Sequence, residues 1–198
     1  VKPQDAAGVL AEIGPAIRPG AVLVSICAGL TASTIEAALP VGTPVVRVMP
    51  NTPAKVGEGV SAISAGAAAT PEHLELAAAL LGSVGKVVTV PEAYQDAVTA
   101  VSGSGPAYVF YVVEAMVDAG VLLGLPRDVA TTLAVQTVYG SAKLLVETGE
   151  HAGRLREQVT SPGGTTAAAL RELDAHGVKA AFAAAMEAAR DRSRELAG

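Results

Sequence analysis

The stretch Val159-Thr160-Ser161-Pro162-Gly163-Gly164-Thr165-Thr166 places two adjacent glycines and several hydroxyls directly ahead of the helical segment Ala167–Leu173. Paired glycines reach backbone angles closed to other residues, so consecutive N–H groups can turn toward one point. A helix starting at about Thr165 adds its free N–H groups and the positive end of its dipole. Ser161, Thr165 and Thr166 set hydroxyls around the same spot, and Pro162 stiffens the approach. That chemistry suits a small anion such as a carboxylate. The plain alternative is a Gly-Gly turn with a threonine N-cap.

Other candidate groups are weaker. Ser102-Gly103-Ser104-Gly105-Pro106-Ala107-Tyr108 reads as a second hydroxyl-rich, close-approach loop entering a helix, with Pro106 near the first turn. Gly57-Glu58-Gly59-Val60-Ser61-Ala62 fits a dinucleotide pattern formally but precedes its strand instead of following one, which excludes it. Cys27-Ala28-Gly29 and Pro50-Asn51-Thr52-Pro53 each end a strand, where open sheets bind ligands. Ala28 and Gly29 are small enough for a ring or phosphate to pass over, while Asn51 and Thr52 offer polar partners. Ordinary turn chemistry explains both equally well. Cys27 reads as a small core residue. Glu92 sits at a junction where an acid is favourable simply as the start of a helix. His73, His151 and His176 lie far apart with no second ligand at metal spacing, so no metal site is expected. No G-x-S-x-G elbow accompanies the serines.

The elements that would position these groups fall into two regimes. In the first, helix Ala6–Ile17, strand Ala21–Ile26, helix Leu30–Leu39 (capped by Thr31 or Ser33), strand Pro44–Met49, strand Val60–Ser64, helix Thr70–Leu81 and strand Lys86–Val90 follow one another. Such alternation predicts α/β architecture, a mainly parallel sheet forming the latter part of a Rossmann-like doubly wound fold. From Pro91 onward helical periodicity takes over, at 107–123, 127–147, 166–175 and 178–196, giving an all-α domain. The boundary is set at about residue 91, with domains 1–91 and 92–198. In the second helix Asp128, Thr132, Gln136, Lys143 and Glu147 form a polar stripe opposite Val129, Leu133, Val138, Ala142 and Leu145. The helix at 107–123 is apolar almost all round and so demands cover on every side, for which a second subunit is the natural source.

Composition bounds the partners. Of the 198 residues 51% are hydrophobic but only 3% aromatic, so the core must be built from Ala, Val and Leu. A net charge of −5 without a basic cluster argues against nucleic acid. One cysteine fits a reducing compartment. Glu114 and Asp118 interrupt the most apolar stretch and disfavour a membrane span. A cytoplasmic protein is expected.

The run at 159–166, Arg47-Val48-Met49-Pro50-Asn51-Thr52-Pro53, Ser102–Tyr108 and the opening Val1-Lys2-Pro3 together resemble the pyrroline-5-carboxylate reductase family in order and spacing. Asp118-Ala119-Gly120-Val121, Gly124-Leu125-Pro126-Arg127 and Gln136-Thr137 extend the resemblance over essentially the whole chain. It implies hydride transfer from NADPH or NADH to the C=N carbon of 1-pyrroline-5-carboxylate, giving L-proline, the last step of proline biosynthesis. It also makes residues 1–91 part of a dinucleotide-binding domain and residues 92–198 a dimerisation and substrate-binding domain. The substrate would meet Glu92, Ser161, Gly163, Gly164, Thr165 and Thr166, with the Thr166 hydroxyl as catalytic proton relay or positioning group. The cofactor would meet Lys2, Pro3, Ala28, Gly29, Met49, Asn51, Thr52, Pro53 and Gln158. Self-association as an interwoven dimer, and a pentamer of dimers, is implied too. The family's glycine-rich phosphate turn belongs ahead of Val1. These residues alone are therefore expected to bind NADPH feebly and to be inactive, with Ala21–Ile26 an exposed apolar edge. Two alternatives stay open: another imine or β-hydroxyacid reductase of the same plan, which would normally show a catalytic lysine in the long helix, and a helical assembly module without catalysis. Lys143 lies late in its helix on the polar stripe, which disfavours the former.

Overall fold

The computed structural model describes residue 1 and residues 5–197. It divides into two compact units, Val1–Pro106 with Ala185–Gly198, and Ala107–Ala184. The first is the α/β unit. Its order is α1 (Ala6–Ile13), β1 (Leu23–Ser25), α2 (Ala32–Ala37), β2 (Val45–Met49), β3 (Gly59–Ala65), α3 (Pro71–Leu81), β4 (Gly85–Thr89) and α4 (Gln95–Val98). The sheet order is β1-β2-β3-β4.

The pairing is mixed rather than uniformly parallel. β1/β2 and β3/β4 are parallel, while β2/β3 is antiparallel. Helices α2 and α3 provide the long crossovers that parallel pairs need. Only the short gap 50–58, with a 3-10 turn at Thr52–Val56, joins β2 to β3. A gap of that length allows an antiparallel return and not a crossover. Strand β1 lies at the sheet edge, but Leu23 and Val24 are half-buried and Ser25 is buried, so of the exposed edge expected over Ala21–Ile26 only Ala21 and Ile26 are exposed.

The two faces of the sheet are covered differently. Val46, Val48 and Ile63 pack with Ala77, and with Leu74, Ala78 and Leu81 around it, so α3 seals one face. Val45 packs with Leu10 of α1, Ala32 and Ile35 of α2, and Leu39 just beyond α2 on the other. Thr31 caps α2 by accepting a hydrogen bond from the Thr34 N–H (3.1 Å). At the start of α3 a capping box links Thr70 and His73, and the Thr70 hydroxyl holds the Glu72 carboxyl below its usual range.

The supposed loop at 102–105 is not a loop. Thr99–Gly103 forms a π-turn that continues α4 toward α5 (Gly105–Leu122), closed by the Ser104 N–H to Thr99 carbonyl bond at 2.8 Å. The close approach at Gly103 is nonetheless real, since a Cβ there would collide with the end of the Met49 side chain.

The helical unit holds most of α5, then α6 (Arg127–Thr148), α7 (Ala152–Gln158), α8 (Thr165–Ala175) and the start of α9 (Val178–Ala197). Its buried centre is small: Val117 with Ala130 and Ala134, flanked by Val113 and Val121. The inward face of α6 is thus the alanine pair, and not the expected Val129, Leu133 and Leu145, which stay exposed. Nor is α5 covered on all sides within the chain: Phe110, Tyr111 and Leu122 lie open. Residues 92–122 and α6 are long and apolar enough to cross a membrane by length and composition alone.

Candidate active site

The hydroxyl-rich turn lies wholly in the helical unit. Gly163 has φ +69°, the left-handed conformation that the turn requires. Gly164 is different: its φ of −76° and ψ of 172° are open to any residue. What demands glycine at 164 is contact, because a Cβ there would collide with Ser161 Oγ and stand 3.1 Å from the Ser161 carbonyl oxygen. That carbonyl accepts the Gly164 N–H at 3.0 Å and pins the turn. Gly164 is also the N-cap of α8, so the threonine-cap alternative is not the one adopted. No side chain caps the helix, and its first intrahelical bond runs from the Ala168 N–H to the Gly164 carbonyl. The N–H groups of Thr165, Thr166 and Ala167 are therefore left to an outside acceptor. Ser161 and Thr165 are exposed and Thr166 half-buried beside them. Gln158, at the C-terminal end of α7, donates its amide to Glu150 Oε2 at 3.1 Å.

The other candidate groups belong to the α/β unit. Because β1 and β2 are parallel, the turns 27–29 and 50–53 leave the same edge of the sheet side by side. Gly29 is buried with φ 78°, and Ala28 is half-buried. Asn51 Oδ1 is committed to the Val60 N–H (2.9 Å), so only its NH2 group stays free for another partner. Thr52 is exposed, Pro53 follows it in the 3-10 turn, and Met49 meets Gly103. Cys27 is buried in a core position. Lys2 and Pro3 fall outside the described residues.

Glu92 does more than start a helix. Its Oε1 accepts from the Ala32 N–H at 2.6 Å and from Arg47 Nη1 at 3.1 Å. The Arg47 side chain is only 7% exposed. Arg47 enters the sequence reading only as part of the 47–53 motif and with no role of its own, although an arginine in an otherwise apolar strand is a signal, since charged groups are buried only when paired. Arg47 stands in a polar row across three strands, with Ser25 beside it on β1 and Ser64 on β3. Ser64 Oγ donates to the Val90 carbonyl (2.8 Å) and accepts from the fully buried Gln95 (2.7 Å). Among the described residues, no group of three His, Cys, Asp or Glu side chains gathers as a metal site would.

The structure therefore brings together two sets. Ala28, Gly29, Met49, Asn51, Thr52, Pro53 and Glu92 share the α/β unit, and Gln158, Ser161, Gly163, Gly164, Thr165 and Thr166 share the helical one. One set lies at the adjacent ends of parallel strands, the other at an uncapped helix start with hydroxyls beside it.

The chain is similar to known proteins over its whole length. The family model for pyrroline-5-carboxylate reductase dimerisation matches residues 92–196. Pyrroline-5-carboxylate reductase of Mycobacterium tuberculosis is 50% identical over 99% of this chain and 74% of its own length. The solved pyrroline-5-carboxylate reductase of Coxiella burnetii superposes with a TM-score of 0.95 at 36% identity, over 100% of this chain and 74% of that one. The Plasmodium falciparum pyrroline carboxylate reductase, solved with NADP bound, gives 0.91 at 34%, over 100% and 79%. A dimerisation domain over half the chain also accounts for the open apolar helices, which are built for self-association. With half of its residues shared with one such enzyme and its backbone with two others, the chain belongs to the pyrroline-5-carboxylate reductase family.

Proposed function

We propose that this chain forms the substrate pocket and the nicotinamide side of the cofactor site of an enzyme that reduces 1-pyrroline-5-carboxylate to L-proline in the cytoplasm with NADPH or NADH. The observation that carries the substrate side is the uncapped start of α8 behind left-handed Gly163. A carboxylate there receives the N–H groups of Thr165 and Thr166 and the hydroxyls of Ser161 and Thr165, with Gly163 and Gly164 leaving room for it. Anchoring the carboxylate fixes the ring and removes much of the entropic barrier to reaction. The Thr166 hydroxyl then faces the ring nitrogen and hands on the proton that nitrogen gains. Glu92, with Oε1 already occupied, keeps Oε2 for the substrate.

The α/β unit fits a dinucleotide on an observation of its own: adjacent carboxyl ends of parallel strands, with small residues at 28 and 29. The bound cofactor supplies a hydride to the C=N carbon, and no covalent nucleophile or metal is needed. Ala28, Gly29, Met49, Asn51, Thr52 and Pro53 would hold its nicotinamide side, together with Gln158, Lys2 and Pro3. We further assign residues 1–91 to the dinucleotide-binding domain and 92–198 to dimerisation and substrate binding, with the chains assembled as interwoven dimers and these into a pentamer of dimers. Steady-state oxidation of NADPH tests the reading. Consumption that depends on 1-pyrroline-5-carboxylate and yields L-proline supports it, and consumption indifferent to that substrate overturns it.

A further inference from the structure

We propose that Arg47 is a positioning residue that sets the cofactor-side turn through Glu92; the inference rests on the cofactor site assigned above. Arg47 lies on the face of the sheet that carries Leu23 and Val45 at one end and Met49 at the other. Helices α1 and α2 cover the first end, and the π-turn containing Gly103 meets Met49 at the second. Arg47 stands at the seam between the two covers. Its guanidinium holds Glu92 at the head of the helical run, and Glu92 in turn holds the first N–H of α2. That N–H belongs to Ala32, and the chain between β1 and α2 is the turn at 27–31.

Each link is constrained. The Arg47 side chain is nearly excluded from solvent and that of Glu92 is 30% exposed, so the pair is weakly screened and its geometry is held. A single carboxylate oxygen receives both donors, which leaves Glu92 little freedom to rotate. Thr31 caps the same helix start through Thr34, so two acceptors from different parts of the chain fix α2 at its first turn. Without Arg47, Glu92 would be a half-buried carboxylate free to swing toward water, and the Ala32 N–H would lose its acceptor. The turn carrying Ala28 and Gly29 would then lose its anchor on the α2 side. Arg47 would touch neither substrate nor cofactor while changing how tightly the cofactor is held.

A double-mutant cycle on the intact enzyme tests this, read by fluorescence titration of NADPH binding and by the KM for NADPH. Arg47→Met is expected to weaken NADPH binding roughly 10- to 100-fold, the span of one charge-assisted hydrogen bond. Arg47→Lys, which keeps a charge for Oε1, recovers part of the loss and serves where Arg47→Met fails to fold. Adding Glu92→Gln to Arg47→Met should cost less than about twofold more, because the two residues act as one unit. Unchanged NADPH affinity in Arg47→Met, or fully additive losses in the double variant, overturns the inference while leaving the reductase reading intact. An unmutated enzyme that binds no NADPH overturns that reading itself, and this inference with it.

Discussion

The α/β unit and the helical unit have similar appetites for apolar side chains but satisfy them differently. In the former, Val45 and Ile63 are 0% exposed, sealed between helices and sheet. In the latter, Tyr111 is 73% and Leu122 87% exposed, and the buried centre is little more than Val117 against two alanines. The small side chains at Ala130 and Ala134 let α5 and α6 approach closely, and Gly120 adds to this by facing the Ala130 methyl. What they do not do is bury the large residues, which point outward for another chain. An apolar pattern thus tells how much surface must be covered but not which molecule covers it.

Breaking the cover from outside should have the largest effect. Phe110→Glu combined with Tyr111→Glu is expected to reduce the assembly to single chains by light scattering, because two charges cannot be buried unpaired at an interface. An unmutated protein that already scatters as a single chain would dissolve the contrast between the units. Within the α/β unit the cost should be local. Ile63→Ala is expected to lose about 2–5 kcal/mol of unfolding free energy, independent of protein concentration. A loss that varies with concentration would show that this core, too, depends on assembly.

Chemistry should separate from stability at the α8 turn. Thr166→Ala is expected to cost about 2–4 kcal/mol at the transition state, or roughly 30- to 1000-fold in turnover, with melting unchanged. A full rate with unchanged substrate affinity would remove Thr166 from the site. The smallest effect belongs to Thr31→Ala, which deletes the α2 cap and should destabilise the protein by about 1 kcal/mol in a denaturant titration.

Much of this was legible in the sequence, and what was not has identifiable causes. A hydroxyl cap on α2 from Thr31 or Ser33, the strand centres and the start of α8 near Thr165 followed from local chemistry, and the structure chooses Thr31. The direction of β3 did not, because an apolar run carries no sign of which way it pairs; the short gap 50–58 was the usable clue. The π-turn was hidden because Ser102, Gly103 and Gly105 have loop composition, whereas the Thr99 carbonyl and Ser104 N–H keep the helix going. Helix α7 went unread, lying as it does between a polar run and the glycine turn. The Arg47–Glu92 link joins residues 45 positions apart, beyond any local pattern. At Gly164 the glycine was legible but its reason was not: a steric one, set by Ser161, rather than a backbone angle.

In the proposed site the carboxylate of the substrate sits on the uncapped start of α8. A crystal structure of the enzyme with L-proline tests it most directly. The proline carboxylate is expected within about 3 Å of the Thr165 and Thr166 amide nitrogens. A proline whose carboxylate lies elsewhere, with the 161–166 turn empty, would contradict it.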